Sequence, residues 1–136
     1  MATSTQSAVT VSGNSKAKIW TGRVISGLPA IMLLFGAALD LTRSPMAMQG
    51  MAKYGYPAGA LIPIGLAALV SAVLYIVPQT AVFGAVLMTA YLGGATATHV
   101  HAGEPFFIPV LCGILVWIGL YLREDRLKDL APFRKL

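Results

Sequence analysis

Four titratable side chains in the apolar part of this sequence could carry chemistry: His99, His101 and Glu104, packed into HVHAGE, and the more distant Asp40. Histidine titrates near neutral pH, so either imidazole could exchange protons with a bound group. Two histidines and a carboxylate are also a conceivable metal set. If a helix ends near Val100, the following loop could bring His99, His101 and Glu104 to one ion, although HVH with a later carboxylate is a short and unspecific pattern. Residues two apart cannot share a helical face, which argues against both histidines holding one heme from within a helix. A plainer reading is that the cluster marks the edge of an apolar segment, where polar residues collect. Met46, Met48 and Met51 nearby would suit Cu(I) as soft ligands, but methionines at helical spacing more commonly pack against lipid or protein. Cys112 stands alone in an apolar run, so it forms no internal disulfide and no dithiol or cysteine zinc site; it reads as a packing residue.

The element that must position the histidines is the stretch from Thr80 to Pro105. It runs without formal charge or proline as far as Ala102, long enough for a helix to cross a hydrocarbon core about 30 Å thick. Ala81, Ala85, Thr89, Gly93 and Ala97 recur every fourth residue, with Ala90, Gly94 and Thr98 in a second row beside them. Small-residue rows let helices approach closely in lipid, so this helix is expected to be the packing hub. The other spans fall around it: about 20–41, with Pro29 able to kink it; 57–77, with Tyr75 placed at an interface; 80–100; and 105–122, closed by Trp117 and Tyr121. Between the first two, Ser44 before Pro45 predicts a capped helix start, closed by a turn at Gly55 and Pro57. Asp40 and Arg43 end the first span and are expected near the boundary or paired with each other, since an unpaired charge in the bilayer is costly.

The class follows from composition. Of 136 residues, 57% are hydrophobic and 11% charged, against about 25% charged in soluble domains. The chain reads as an all-α, membrane-spanning four-helix bundle over 16–123, with a disordered tail over 1–15 and a basic amphipathic segment over 124–136. The net charge of +5 does not point to nucleic acid, because the basic residues flank apolar spans instead of alternating with exposed aromatics. The charged start before Val24 also fits a cleavable signal peptide, but the long polar lead and three later spans favour retention. Eight Lys and Arg lie on the side of the two chain ends, and only Arg43 and Lys53 on the other. The positive-inside rule then puts both termini in the cytoplasm, in agreement with an even number of spans.

The run LYIVPQTAVFGAVLMTAYLGGATATHVHAGEPFFIPVLCGILVWIGLYLR, from Leu74, together with MAKYGYP before the second span, resembles the DoxX-like family of small four-helix membrane proteins over about Lys18 to Phe133. The resemblance implies a multi-pass protein of the cell membrane, expected to be a bacterial inner membrane. It implies an association with redox complexes, in some relatives thiosulfate oxidation that delivers electrons to quinone. It transfers no catalytic motif. A quinone needs an apolar slot, an aromatic wall and one or two proton-handling groups, which Tyr91, Phe106, Phe107 and His99 could supply near the outer face. The chain has no heme-attachment motif, cysteine cluster or flavin fingerprint, so a redox role would need a membrane or extracytoplasmic protein partner; a homo-oligomer is a separate expectation. The competing readings are a non-catalytic scaffold or assembly factor and, behind it, a small-molecule transporter, for which no inverted repeat is visible.

Overall fold

The computed structural model describes residues 16–129 in full, and residues 2–15 and Leu130 by their backbone course. The tail expected over 1–15 and the last part of the C-terminal segment, 131–136, lie outside the fully described residues. Six helices follow one another: α1 (Ala2–Leu41), α2 (Pro45–Lys53), α3 (Leu61–Ile76), α4 (Ala81–His101), α5 (Phe107–Arg123) and α6 (Asp125–Leu130). There is no β-strand among the described residues. Three segments are long and apolar enough to cross a membrane: Lys16–Leu41, Ala58–Ile76 and Pro78–His101, the last two each entered through a single 3-10 turn. The fourth, α5, is apolar but has 17 residues, about 26 Å of helix at 1.5 Å per residue.

Four of the helices form a ring in which α1 packs on α3 and α5, and α4 packs on the same two. Each neighbouring pair is antiparallel. On α1 and α3, Asp40 lies at Gly65 while Ser26 lies at Tyr75. On α1 and α5, Met32 meets Cys112 while Gly22 meets Gly119. The same reversal joins α3 to α4 and α4 to α5. The start of Lys16–Leu41, the Pro78 turn and Arg123 therefore share one end, here called the base, and the two longer connections share the other, the mouth.

The helical period assigns the faces. Ser26, Ala30, Leu33 and Ala37 of α1 are buried, whereas Val24, Leu28, Ile31 and Phe35, at the same 4-3-4 spacing, are each more than half exposed. Such an apolar outer stripe would be a liability in water and is the normal outer surface in lipid. Two expectations are corrected here. The small-residue helix α4 is not a hub, because a ring gives each helix two neighbours, and α1 has the most extensive packing. Its small rows are also used unequally: Ala81 and Ala85 are buried, but a side chain at Gly93 or Gly94 would meet nothing within 4 Å. Tyr75 is not an interface residue; it is fully buried, its hydroxyl 2.7 Å from the Val116 carbonyl and 2.9 Å from Ser26 Oγ. Two partners inside the bundle satisfy the polar tip that would otherwise seek water.

Candidate functional site

The mouth is built from the two longer connections, the first of which carries α2. In the first, the Ser44 Oγ accepts the Ala47 N–H at 3.2 Å and Pro45 takes the first turn, as the sequence predicts. Arg43 has φ 51°, so it has left the helix of Asp40 and the i,i+3 facing is lost. Among the described residues no ion pair joins the two; Arg43 instead donates its backbone N–H to the Asp40 carbonyl at 3.1 Å. Gly55, at φ 77°, reverses the chain between Tyr54 and Tyr56. In the second connection Gly103, at φ 70°, does the same after α4, and the Glu104 N–H returns to the His99 carbonyl at 2.9 Å.

A polar clasp joins these connections. Lys53 forms an ion pair with Glu104, and the Tyr54 hydroxyl donates to Glu104 Oε2 at 2.8 Å. The Lys53 bond, followed by that of Tyr54, holds the Glu104 carboxyl below the usual carboxylate range, and Glu104 in turn raises both Lys53 and Tyr54. The Tyr54 ring lies 5.6 Å from that of His99. His99 Nδ1 is 2.7 Å from the Ala95 carbonyl. A carbonyl only accepts, so in the neutral ring this bond assigns the proton to Nδ1 and leaves Nε2 as an acceptor. The Tyr56 hydroxyl meets Thr98 Oγ1 at 2.7 Å, and Thr98 itself donates to the Gly94 carbonyl at 2.9 Å.

Beneath the clasp, between α3 and α4, is a groove of about 430 Å³. Met51, Ile64, Ala90, Gly94 and Ala95 give it apolar walls, and Tyr54, Tyr56, Tyr91, Thr98 and His99 give it polar atoms. The missing side chain at Gly94 is part of what keeps it open. The Tyr91 ring packs on the core, and its hydroxyl enters no hydrogen bond among the described residues. An apolar slot with a few convergent polar groups is the ordinary form of a small-molecule site. What it can do chemically is accept a proton at His99 Nε2 and offer one from Tyr91 to the same bound ring.

The sequence candidates are therefore only partly brought together. His99 and Tyr91 line the groove, and Glu104 stands one step behind as the anchor of Tyr54. His101 is exposed and is not among the residues that line the groove. Asp40 is half-buried where α1 crosses Gly65, within electrostatic reach of Tyr91 but outside the groove lining. Phe106 and Phe107 stack on each other at 4.9 Å on the exposed surface and do not form the expected aromatic wall; Tyr54, Tyr56 and Tyr91 take that place. Met51 faces the groove, while Met46 and Met48 are exposed. No group of three His, Cys, Asp or Glu side chains able to hold a metal exists among the described residues, because His99 is turned to Ala95 and Glu104 to Lys53. Sequence reasoning missed Lys53, Tyr54 and Tyr56 as site residues. One signal was available: the outer connections hold two cations and two anions, and once Asp40 and Arg43 are separated by a turn, Lys53 and Glu104 are left to pair.

The sequence profile of the DoxX-like family matches residues 24–119. The chain belongs to the DoxX-like family. The match includes every residue of the groove and the clasp and stops short of Arg123 and α6. No curated protein and no solved structure matches the chain. DoxX-like membership thus fixes the kind of protein, and the role of the groove has to be argued from its chemistry.

Proposed function

We propose that this DoxX-like protein spans the cell membrane four times with both termini in the cytoplasm, and binds a quinone at the outer mouth as a redox-linked component working with an electron-carrying partner. For α5 as the fourth span, the support is its antiparallel packing along α1 and α4 and its outward row of Phe107, Ile108, Leu111, Ile114 and Ile118. Helices crossing the full bundle would otherwise present a bare apolar flank to water. For the orientation, the support is the excess of Lys and Arg at the base end.

The observation that carries the quinone reading is the groove itself: apolar walls, three tyrosines and a histidine whose free nitrogen is fixed as an acceptor. A quinone supplies a couple that takes up a pair of electrons and a pair of protons. The chain's own contribution is positional. Gly94, Ala90 and Ile64 leave room for a flat ring, Tyr91 offers a hydrogen bond to a ring oxygen, and His99 Nε2 takes a proton from a ring hydroxyl. Tyr54, held by Glu104, keeps the imidazole oriented and shields it from water. As that proton passes to His99 the ring's electrons leave to the partner and its second proton to the water at the mouth, since the sequence carries no heme-attachment motif, cysteine cluster or flavin fingerprint to take the electrons.

The test is titration of a short-chain benzoquinone into protein purified in mild detergent, followed by tyrosine and tryptophan fluorescence and by extraction of the bound quinone. Wild type is expected to bind saturably. Gly94→Leu should abolish binding with no loss of thermal stability, and His99→Ala should weaken it about tenfold, the worth of one good hydrogen bond in an apolar site. Binding that is indifferent to both substitutions would overturn the reading and leave the scaffold as the better account.

A further inference from the structure

The base carries a second cleft that the quinone reading does not use. Arg23 near the start of the first span and Arg123 at the end of α5 converge on a space of about 340 Å³, shared with Ser26, Gly27, Ala30 and Ile76. Arg123 is not a loose surface side chain. Its Nη2 donates to the Tyr75 carbonyl at 2.7 Å and its guanidinium lies 4.5 Å over the Tyr75 ring. Its Nε is buried without a partner, and no carboxylate forms an ion pair with Arg23 or Arg123 among the described residues. The nearest carboxylate along the chain, Glu124, lines a smaller adjoining space of about 70 Å³ with both arginines. A buried guanidinium nitrogen with no acceptor is costly, and a planar fork held in place beside a second one is suited to the oxygens of a phosphate.

Away from the arginines the cleft changes character. A side chain at Gly27 would meet nothing within 4 Å, Ile76 of α3 is about half exposed, and Ala30, itself buried, closes the floor between them. The space therefore continues from two cations onto an apolar surface formed by Gly27 of α1 and Ile76 of α3, at the end of the bundle where Trp20 is exposed as an interfacial aromatic would be.

We propose that Arg23 and Arg123 bind the phosphate of an anionic glycerophospholipid, one acyl chain of which lies along Gly27 and Ile76. Charge selects the headgroup, and the apolar strip selects a lipid over a soluble phosphate. The site depends on the base lying at a membrane surface and is independent of whether the mouth binds quinone.

Native mass spectrometry of protein reconstituted with equal phosphatidylglycerol and phosphatidylcholine, then released in mild detergent, tests this directly. Wild type should retain phosphatidylglycerol in preference, and its melting temperature should rise with added phosphatidylglycerol but not phosphatidylcholine. Arg23→Gln, which leaves the Arg123–Tyr75 contact intact, should lower retention about tenfold. Gly27→Leu, placed in open space, should do the same by filling the acyl strip while leaving both cations. Equal retention of the two lipids, or retention unchanged in both variants, would overturn the assignment. So would stabilisation by inorganic phosphate alone that matches phosphatidylglycerol, since the site would then take a free anion.

Discussion

The two ends of this bundle are made from the same vocabulary, glycine, tyrosine and a cation, and use it in opposite ways. At the base, Gly84 lies on the Tyr75 backbone and Gly119 on Ser26, so helices touch where a side chain is missing. Tyr75 is buried between them with its hydroxyl satisfied, and Arg123 caps it. At the mouth, Gly93 and Gly94 face open space, three tyrosines line a groove, and Lys53 ties one loop to another from an exposed position. A glycine therefore marks either a contact or a vacancy, and only the neighbour decides which. Gly84 and Gly119 hold the helices of the base in register, as Gly65 does against Asp40 nearer the mouth, whereas Gly94 in the mouth groove and Gly27 in the base cleft leave room to bind.

This contrast is sharpest under substitution by a large residue. Gly84→Leu puts its new atoms against backbone that cannot move aside, so we expect a loss of about 3 kcal/mol or more and failure to purify as a monodisperse protein. Gly93→Leu should leave the melting temperature near wild type, and Gly94→Leu should differ from it only in closing the groove. If Gly93→Leu were as damaging as Gly84→Leu, the mouth would be packed in the membrane by a second chain, and the comparison would fail. A smaller effect separates the tyrosines. Tyr75→Phe leaves the buried Ser26 hydroxyl and Val116 carbonyl short of a partner, at a cost of about 1–3 kcal/mol. Tyr56→Phe removes a hydroxyl from a part-exposed rim and should cost within about 0.5 kcal/mol. Urea or thermal unfolding of the two variants in the same detergent checks the order.

The helices were legible in the sequence because their causes are local. Apolar length, the Ser44–Pro45 start and the glycines of the turns act over a few residues, and each is found where the spacing predicts it. Which small residues pack was not legible, because Ala85 and Gly93 belong to one row on α4 and only the position of α3 distinguishes them. For the same reason Tyr75 read as an interface residue: its partners Ser26 and Val116 are 49 and 41 positions away. The site was half legible. His99 stood out by type and Tyr91 by its place on the same helix, but Tyr54 and Tyr56 join them only through the antiparallel fold of α3 on α4. Phe106 and Phe107, adjacent in sequence to the polar cluster, are turned outward by the start of α5.

The smallest expected effect lies in the clasp, and its sign is fixed by the charges. Glu104 has a lowered pKa in the folded protein, because Lys53 and then Tyr54 bond its carboxylate. Its contribution to stability is therefore fully present above the ordinary glutamate value of about 4.3 and is lost as pH falls through the lower folded value. Lys53 is raised by the same contact, so its contribution is present below about 10.4 and is lost as pH climbs through the raised folded value. The clasp is closed throughout the neutral range and opens only at the extremes. Because both partners are solvent-screened, global stability should change little, and the informative readout is local. Acidification from neutral pH through the lowered Glu104 value should reduce protection against hydrogen exchange, corrected for the intrinsic slowing of exchange in acid, in the two mouth connections of wild type while leaving the base helices protected. Glu104→Gln should show the raised exchange at the mouth already at neutral pH, with no further rise on acidification. Equal acid sensitivity at base and mouth would mean that Glu104 is not what holds the two connections together, and the structural distinction between the two ends would have to rest on the glycines alone.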